Sequence, residues 1–454
     1  MSNARRLAFE ILVDLEQGDH TLDFLIEQRQ AAINALERND RALLHALVYG
    51  VQRWRLRLDW IMDQFSDRPG KKIAPPVLSA LRLGLFQLYF MDRIPPSAAV
   101  NTSVELVKKS RARWAAGFVN ALLRRAAAAP QALSSLPLAE SDPAARLAVQ
   151  NAFPHWLIRR WLERFGQQDT EARCTAMNTI PALTLRTNTL RATRERLMDT
   201  LKNLASAITP TPFSPEGICL RSPKSPANTW PSFKEGWFQI QDEAAQLISH
   251  LVAPAPGHHV WDACAGLGTK TAHLAQLMEN KGILLASDHR RDKLDRLLLD
   301  FNRLGMKTVR TEVLDLSRPL PPPLPQGFDR ILVDAPCSGL GVLQKNPDGK
   351  WRIEPADLRR NAQRQGAFLC NAARHLKPGG VLVYSVCSTE PEETSEVVET
   401  FLQKHQDFAI FPPSLPAIPG NERLLTHQGF LLTLPHRHAM DGFFAAALVR
   451  RPGP

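Results

Sequence analysis

The sequence contains few cysteines, and they follow no pattern. There are six among 454 residues, with no Cys-x-x-Cys pair and no regular spacing, so neither a disulfide framework nor a zinc site is indicated. Free thiols are typical of a reducing compartment, and we expect a cytoplasmic protein without a bound metal. The sequence also lacks a secretory signal and any run of about 18 apolar residues, so no membrane association is predicted.

Acidic residues are scarce relative to basic ones. The formal net charge is +11 and the sequence isoelectric point is about 9.6. An excess of this size favours a polyanionic partner, usually nucleic acid, although an ordinary soluble protein with a basic bias fits the charge equally well. No internal repeat is seen, and because nothing in the sequence demands an oligomer we expect a monomer.

Three regions differ in their patterns. Residues 1–130 carry apolar side chains at helical spacing and predict an all-helical bundle. Residues 131–236 predict a helical linker, with a break near Ser134, and then a small α+β module. In residues 237–454 strand and helix patterns alternate, which predicts a doubly wound α/β domain that closes in a hairpin. Basic residues cluster in the first region, as a phosphate-binding surface or as a solvated helix face, at Arg53, Arg55, Arg57, Lys108, Lys109, Arg111, Arg113, Arg124 and Arg125.

A glycine turn follows the first predicted strand of the third region. It reads Ala265-Gly266-Leu267-Gly268 and leads into a predicted helix at Thr269. Glycines let the backbone approach a ligand, and a helix start offers free N–H groups to an anion. A Walker phosphate loop is excluded because Thr269 precedes Lys270-Thr271 where that loop has glycine, and a dinucleotide turn would need a third glycine. A turn for S-adenosylmethionine remains compatible, as does a purely structural turn.

Three carboxylates end the strands that come next. Asp288 ends the second strand, about twenty residues after the turn, where a carboxylate suits two ribose hydroxyls. Asp315 ends the third strand and either receives an adenine amino group or caps a helix. Asp334 ends the fourth strand. We expect these side chains at the carboxyl edge of one sheet, where open α/β sheets bind ligands. The strands predicted in this region are 258–262, 283–288, 308–314, 329–334 and 381–387.

Two cysteines also lie at strand ends. Cys337 stands in Asp-Ala-Pro-Cys-Ser-Gly-Leu-Gly and Cys387 in Tyr-Ser-Val-Cys-Ser-Thr. A single cysteine at such a place is usually a small apolar filler. Two of them beside a cofactor turn favour methyl transfer to C5 of a pyrimidine, because C5 becomes nucleophilic only after a thiolate adds at C6. A nearby acid such as Asp334 would assist at N3.

The motifs around both cysteines resemble those of the RNA cytosine-C5 methyltransferases. Asp334-Ala-Pro-Cys-Ser-Gly with Asn346-Pro-Asp-Gly-Lys-Trp is similar to motif IV of that family, and Tyr384-Ser-Val-Cys-Ser-Thr-Glu-Pro-Glu-Glu to motif VI. Residues 239–247 and 441–446 also resemble family segments. The N-terminal region, with Asn39-Asp-Arg-Ala-Leu and Gly117-Phe-Val-Asn-Ala, looks like the NusB-type RNA-binding domain found in the branch that modifies small-subunit ribosomal RNA.

The resemblance implies a fold, a cofactor and roles for residues. It implies a class I, Rossmann-like methyltransferase sheet with an antiparallel last strand, and small-subunit ribosomal RNA as the partner. Cys387 would be the nucleophile, Cys337 would assist release, and Asp334 would bind N3 of the base. The residues implied to hold S-adenosylmethionine are Cys264, Ala265, Gly266, Leu267, Gly268, Thr269, Lys270, Asp288, Asp315 and Asp334.

Two positions depart from the family pattern, and rival functions stay open. Leu267 replaces a proline of the cofactor turn, and Asn346 stands where a histidine is common. The first rival is the same chemistry on transfer RNA, against which the NusB-like region argues. The second is a non-catalytic RNA-binding or assembly factor, which only the altered turn favours. A DNA methyltransferase is not expected, because there the nucleophile is the Pro-Cys cysteine and Cys387 would have no role.

Overall fold

The structure, a computed structural model, describes residues 3–18, 20–66, 73–133, 142–319, 327–412, 415–416 and 418–452. The chain packs as two units, one of Met1–Thr179 with Leu343–Ile353 and one of Ile180–Val342 with Glu354–Pro454. The break predicted near Ser134 lies outside the described residues. Within the described part of the chain, no helix combines the length and the apolar character that crossing a membrane requires.

The first unit is helical, as its apolar periodicity predicts. Leu44, Leu47 and Val48 are fully buried on one side of its longest helix, and Pro75 and Pro96 stand in the first turns of two others, where the missing N–H costs nothing. Its helices are α1 (Asn3–Gln17), α2 (Leu22–Gln28), α3 (Gln30–Asn34), α4 (Arg38–Gln64), α5 (Pro75–Phe90), α6 (Pro96–Lys108), α7 (Ala116–Ala127), α8 (Pro143–Asn151) and α9 (His155–Asn178).

The basic cluster of this unit divides into buried and exposed members. Arg53 and Arg57 are only 6% and 7% exposed, and they donate to the carbonyls of Gln344 and Gln150 at 2.7 and 3.3 Å. The prediction that these two residues belong to a phosphate-binding surface is therefore wrong. Their guanidinium groups are buried and bonded to main-chain carbonyls, so they do not reach a ligand. Arg55 is half-buried and forms an ion pair with Glu16 at 3.1 Å. The exposed members are Lys108, Lys109, Arg111, Arg113, Arg124 and Arg125.

A segment from the far end of motif IV belongs to this helical unit. In Leu343–Ile353, the indole N–H of Trp351 donates to the carbonyl of Gln52 at 2.7 Å. The ammonium of Lys350 donates to the carbonyl of Arg53 at 2.8 Å and lies 3.9 Å from the ring centroid of Phe153. The Asn-Pro-Asp-Gly-Lys-Trp sequence thus has a packing role in the first unit, which the sequence did not indicate.

The second unit begins with a small α+β module. Its antiparallel sheet runs in the order β2-β3-β1-β4, and alternate residues such as Leu185, Ile218 and Leu220 are fully buried beneath it. The strand β4, which the sequence analysis placed in the C-terminal region, pairs with β1. The elements are β1 (Leu183–Thr187), α10 (Arg194–Leu201), β2 (Ala207–Pro210), β3 (Gly217–Arg221), α11 (Pro231–Lys234) and β4 (Phe238–Ile240).

The rest of the second unit is built on a mixed sheet in the order β10-β12-β9-β8-β5-β6-β7, with β11 paired to β12. Strands β9, β8, β5, β6 and β7 are parallel. The elements are α12 (Glu243–Val252), β5 (His259–Asp262), α13 (Thr269–Leu277), β6 (Ile283–Asp288), α14 (Arg291–Leu304), β7 (Val309–Val313), β8 (Phe328–Asp334), α15 (Pro355–Ala373), β9 (Leu376–Val386), α16 (Ser395–Lys404), β10 (Phe408–Ile410), β11 (Leu431–Leu432), α17 (Pro435–His438) and β12 (Phe444–Arg450).

Both faces of this sheet are covered, as its near-continuous apolar strands require. Val260 contributes to the apolar cluster on one face, and its neighbour Trp261 to the cluster on the other. The predicted closing hairpin is confirmed by β11 and β12, but β12 also pairs antiparallel with β9 along Phe444–Val449. The parallel strands therefore end at one edge, and the polar residues that follow them are brought together there.

Candidate active site

The glycine turn joins β5 to α13. Gly266 and Gly268 have φ angles of 56° and 81°, a left-handed conformation that favours glycine. A Cβ atom on Gly268 would lie 2.4 Å from Cγ of Leu297, whereas one on Gly266 would meet nothing within 4 Å. Gly268 is thus required for packing, and Gly266 for the bend that leaves open space beside the turn.

Asp288 and Asp315, two of the predicted cofactor residues, differ in exposure and in their hydrogen bonds. Asp288 is 8% exposed, and its carboxylate accepts the Gly266 N–H at 3.2 Å and the Arg290 N–H at 2.9 Å. Asp315 is exposed and accepts the Ser317 N–H and hydroxyl at 2.9 and 2.6 Å. These hydrogen bonds from Ser317 lower the pKa of Asp315. Asp288 therefore ties the turn to the second strand, and Asp315 closes a local turn.

Asp334 is the centre of a polar chain. Its carboxylate accepts the Lys270 ammonium at 2.6 Å and the Ser385 hydroxyl at 2.7 Å. Although burial acts to lower the pKa of Lys270, the Asp334 carboxylate outweighs it and raises that pKa. At the end of the neighbouring strand β5, burial raises the pKa of Asp262 to about 7. The Lys270 ammonium at the start of α13 and the Asp334 carboxylate at the end of β8 are thus held together as an ion pair.

The two strand-end cysteines meet. The sulfurs of Cys337 and Cys387 are 3.4 Å apart, and both cysteines are free and partly buried. The hydrogen bond with Cys387, together with burial, raises the pKa of Cys337 well above its usual value. The two cysteines that the sequence motifs single out therefore lie in contact, with the proton of Cys337 held on its sulfur.

A cleft of about 350 Å³ opens onto these groups. Of the residues predicted for the site, the cleft is lined by Cys264, Gly266, Asp288, Asp315, Asp334, Cys337 and Cys387. The other predicted cofactor residues, which do not line it, are Ala265, Leu267, Gly268, Thr269 and Lys270. Lining residues that the sequence analysis missed are Ala263, His289, Lys293, Leu314, Leu316, Ala335, Pro336, Arg364 and Phe368. Most of these adjoin a predicted residue, whereas Arg364 and Phe368 come from α15 and carry no motif.

Three family models match parts of this chain. The model of the 16S rRNA methyltransferase RsmB/F family matches residues 249–449. The NusB family model matches residues 2–128, and the ferredoxin-like domain of RsmF/B-like methyltransferases matches residues 153–226. The probable ribosomal RNA small subunit methyltransferase B of Synechocystis sp. is 36% identical over 448 residues, which cover 99% of both chains.

This chain belongs to the RsmB/F family. A second relative, the probable ribosomal RNA small subunit methyltransferase B of Bacillus subtilis, is 33% identical over 450 residues and 99% of both chains. The resemblance to a methyltransferase family with a NusB-type domain is therefore confirmed. The predicted order of domains, a helical region, a small α+β module and a Rossmann-like domain, is confirmed as well.

Solved structures share the RsmB/F architecture. The crystal structure of PH0851 covers 98% of this chain and 99% of its own, with a TM-score of 0.81 and 25% identity. That of NSun6 from Pyrococcus horikoshii with SFG covers 67% of this chain and all of its own, with a TM-score of 0.58 and 23% identity. The second likeness is one of fold alone.

Gly341, in the motif around Cys337, stands where a larger residue would not fit. Gly341 donates its N–H to the carbonyl of Cys387 at 3.0 Å, and its own carbonyl accepts the Gly442 N–H at 2.8 Å. A Cβ atom on Gly341 would lie 1.9 Å from the Gly442 carbonyl oxygen. The backbones of the Cys337 loop, of Cys387 at the end of β9 and of the closing Asp-Gly-Phe-Phe segment are therefore in direct contact.

The structure also forms a buried polar cluster that the sequence did not indicate. The Glu216 carboxylate lies 2.9 Å from Nε2 of His250 and 3.9 Å from Nε2 of His273. Burial and the nearby Arg186 guanidinium lower the pKa of His273 well below its usual value. These three side chains have donor types that bind metals, but a buried guanidinium opposes a second cation there. The absence of a metal stays a prediction.

Proposed function

We propose that this protein methylates C5 of cytosine in small-subunit ribosomal RNA, with S-adenosylmethionine as the methyl donor and a covalent bond between Cys387 and C6. The observation that carries this proposal is the pair of sulfurs 3.4 Å apart at the floor of a cleft that also contains the acidic strand ends. Addition to C6 of a pyrimidine needs a sulfur nucleophile, and removal of the C5 proton needs a second group beside it, which this pair supplies.

The residues on the turn side of the cleft fit the cofactor. Gly266 leaves open space, and Asp288, which is already fixed by two main-chain N–H groups, has lone pairs left for ribose hydroxyls. Asp315, exposed at the next strand end, is placed to receive an amino group. The bound cofactor supplies an electrophilic methyl group. Leu267 is 50% exposed and outside the cleft lining, so its departure from the family pattern does not alter the lining.

Cys387 is the nucleophile in this proposal. Its thiolate adds to C6 of the base and breaks the C5–C6 double bond, and the electron pair activates C5. A proton at N3 stabilises the adduct, and the ion pair of Lys270 with Asp334 is the source that we assign to it. Asp334 faces the cleft, so a proton of the Lys270 ammonium reaches N3 through the Asp334 carboxylate.

Cys337 then completes the reaction. Its pKa is raised largely by Cys387; once the Cys387 sulfur is bonded to C6, that sulfur has no charge and Cys337 loses its proton to solvent more easily. The Cys337 thiolate accepts the proton from methylated C5. The C5–C6 double bond forms again, and Cys387 leaves as a thiolate. The proton at N3 returns to the pair of Lys270 and Asp334 in the same step, so that the product is neutral 5-methylcytosine.

The substrate follows from the charge and from the relatives. The relatives are named ribosomal RNA small subunit methyltransferases, and the net charge of +11 suits a polyanion. A cytosine must leave its stack to enter a cleft of this size, so unpaired or looped RNA is the expected local substrate. The exposed basic residues of the first unit, including Lys109, Arg111 and Arg113, are the phosphate contacts that we assign.

The test is transfer of a labelled methyl group to unmodified small-subunit ribosomal RNA, followed by nucleoside analysis. Label in 5-methylcytidine is the expected result and gives the chemistry, the donor and the substrate class together. Label found only with transfer RNA would replace the substrate. A blank with both RNAs, in a protein that also fails to bind S-adenosylmethionine by calorimetry, would favour the non-catalytic RNA-binding alternative.

A further inference from the structure

Glu393 forms the centre of a buried network next to the thiols. It ends a short 3-10 turn, Pro391–Glu393, and is the last residue of the motif that contains Cys387. Its side chain is fully buried. Its carboxylate accepts four hydrogen bonds, all from neutral donors: the N–H of Ser338 at 2.7 Å, the Ser338 hydroxyl at 2.5 Å, the Asn361 amide at 2.9 Å and the Gln365 amide at 3.4 Å. A carboxylate that is desolvated and so well bonded has a fixed position.

This network holds the loop that carries Cys337. Ser338 is the next residue, and both its N–H and its hydroxyl are bonded to Glu393. On the other side of the cysteine, the Gln365 amide also donates to the carbonyl of Pro336 at 3.0 Å. The backbone of Cys337 is therefore fixed before and after the thiol by groups that converge on one carboxylate.

Glu393 is in turn fixed to the strand of the nucleophile. The hydroxyl of Tyr384 in β9 donates to the Glu393 carbonyl at 2.6 Å, and it lies 3.1 Å from the Gln365 amide oxygen. The hydroxyls of Ser338 and Ser388 are 3.3 Å apart. The same network thus sets the position of the Cys337 loop relative to the strand end that carries Cys387.

Glu393 does not line the cleft and so does not meet the substrate. Its negative charge, after the contact with Cys387 and burial, is a further cause that raises the pKa of Cys337. A cysteine with a high pKa is a stronger base once ionised, which suits the removal of the C5 proton. By position and by charge, the carboxylate therefore acts on Cys337 rather than on the base.

We propose that Glu393 is a positioning residue for the release step: it holds the Cys337 sulfur where that sulfur takes the C5 proton and frees Cys387 from C6. The inference rests on the function proposed above. It separates two steps of the reaction, because addition of Cys387 to C6 needs no contribution from Cys337, whereas breakdown of the methylated adduct does.

Two RNA substrates measure the steps separately. An RNA made with 5-fluorocytidine has fluorine where the C5 proton would be, so its methylated adduct forms but is not released, and the rate of trapping reports addition and methylation without release. Unmodified RNA reports addition, methylation and release. For both, the covalent adduct is detected as a protein–RNA species that resists denaturant.

Glu393→Gln keeps the shape and removes the charge and one acceptor. We expect its trapping rate on the fluorinated RNA to stay within about twofold of that of the unaltered protein, its turnover to fall about tenfold or more, and its adduct with unmodified RNA to accumulate. Ser338→Ala, a milder change in the same contact, should show the same pattern more weakly. Glu396→Gln, an exposed residue of α16, is the matched control and should change neither step.

Other outcomes overturn the proposal. If trapping and turnover fall together in Glu393→Gln and no adduct accumulates, the residue has only a general structural role. If turnover is unchanged in both Glu393→Gln and Ser338→Ala, the network does not act on release. If the unaltered protein neither methylates nor traps RNA, the proposed function itself fails, and that result is distinct from either of these.

Discussion

At the scale of single residues, the two sulfurs have different predicted roles although they lie in contact. Cys387→Ala should lower methyl transfer on the order of a thousandfold or more and abolish the adduct, because in the proposed mechanism the Cys387 sulfur is the one that adds to C6. Cys337→Ala should instead accumulate a denaturant-resistant adduct with unmodified RNA. Gel analysis of both variants with labelled RNA checks this. The reverse pattern would exchange the two roles.

The buried carboxyl of Asp262 gives a pH dependence of stability. Burial raises its pKa to about 7, whereas an aspartate in an unfolded chain ionises near about 3.9. Between about pH 4 and pH 7 the folded protein therefore keeps a proton that the unfolded chain has released. The contribution of the Asp262 carboxyl to the free energy of unfolding therefore falls as pH rises through this window, by roughly 1.4 kcal/mol per pH unit.

Asp262→Asn should lack this decline. Its amide oxygen still accepts the hydroxyl of Thr271, which now lies 2.6 Å from the carboxyl. The free energy of unfolding is measured for both proteins at pH 5 and at pH 7.5. The variant minus the unaltered protein should be more positive at pH 7.5 than at pH 5. Asp292→Asn, an exposed acid whose pKa Arg290 lowers, is the control and should differ equally at both pH values. An equal difference for Asp262→Asn would mean that the carboxyl is ionised in the folded state.

The sequence predicted reactive residues better than the residues that hold them. Cys337, Cys387 and Asp334 follow apolar strands within distinctive motifs, so the edge of the sheet on which they meet could be derived. Glu393 could not be assigned a role, because its partners Asn361 and Gln365 lie on a helix whose pattern is set by packing. Hydrogen bonds between residues distant in sequence leave no local signal.

At the scale of elements, the crossing of two backbones at Gly341 is the tightest contact of the site. Gly341→Ala would place Cβ 1.9 Å from the Gly442 carbonyl oxygen, so the loop or the closing strand must shift, at a cost of about 1–3 kcal/mol. Gly366→Ala in α15, where a Cβ meets nothing within 4 Å, should be neutral or stabilising by up to about 1 kcal/mol.

Denaturant unfolding and methyl transfer, measured on both glycine variants, check this prediction. Because the Gly341 N–H is bonded to the carbonyl of Cys387, activity in Gly341→Ala should fall by more than the loss of folded protein explains. Equal stability and equal activity in the two variants would show that the backbones at Gly341 and Gly442 can separate without loss of folding free energy.

The segment Leu343–Ile353 is the element that local patterns could least predict. Helices such as α4 and the parallel strands follow from apolar periodicity, which depends on neighbours in the sequence. The packing of this segment in the helical unit depends on carbonyls of Gln52 and Arg53, almost three hundred positions away in the chain. The short edge strands β4 and β10 were missed for the same reason, since pairing alone defines them.

One indole tests that packing. Trp351→Phe removes the hydrogen bond to the Gln52 carbonyl, which is 2.7 Å long, and should destabilise the helical unit by about 1 kcal/mol. Trp114→Phe, at a tryptophan that is 70% exposed, is the matched control and should have no effect. Hydrogen exchange of amides in α4 should quicken in the first variant alone. Unchanged exchange would mean that the segment contributes nothing to this helix.

At the scale of the whole molecule, the net charge of +11 predicts binding to RNA that weakens steeply with salt. Each phosphate contact contributes about 0.7–0.9 to the slope of log affinity against log salt concentration. Three exposed residues near the end of α6 were assigned such contacts, Lys109, Arg111 and Arg113, whereas the buried Arg53 and Arg57 were not.

Neutralising those three residues to glutamine together should reduce the magnitude of the salt slope by roughly 2–3 and weaken binding about equally for all RNA sequences. The control replaces Lys404, Arg423 and Arg451, three exposed basic residues of the other unit, with glutamine, so both variants have the same net charge. If the two triple variants lose affinity and slope equally, the whole charge attracts RNA without a local surface. A loss confined to the first variant places the phosphate contacts on the helical unit, because net charge is then held constant.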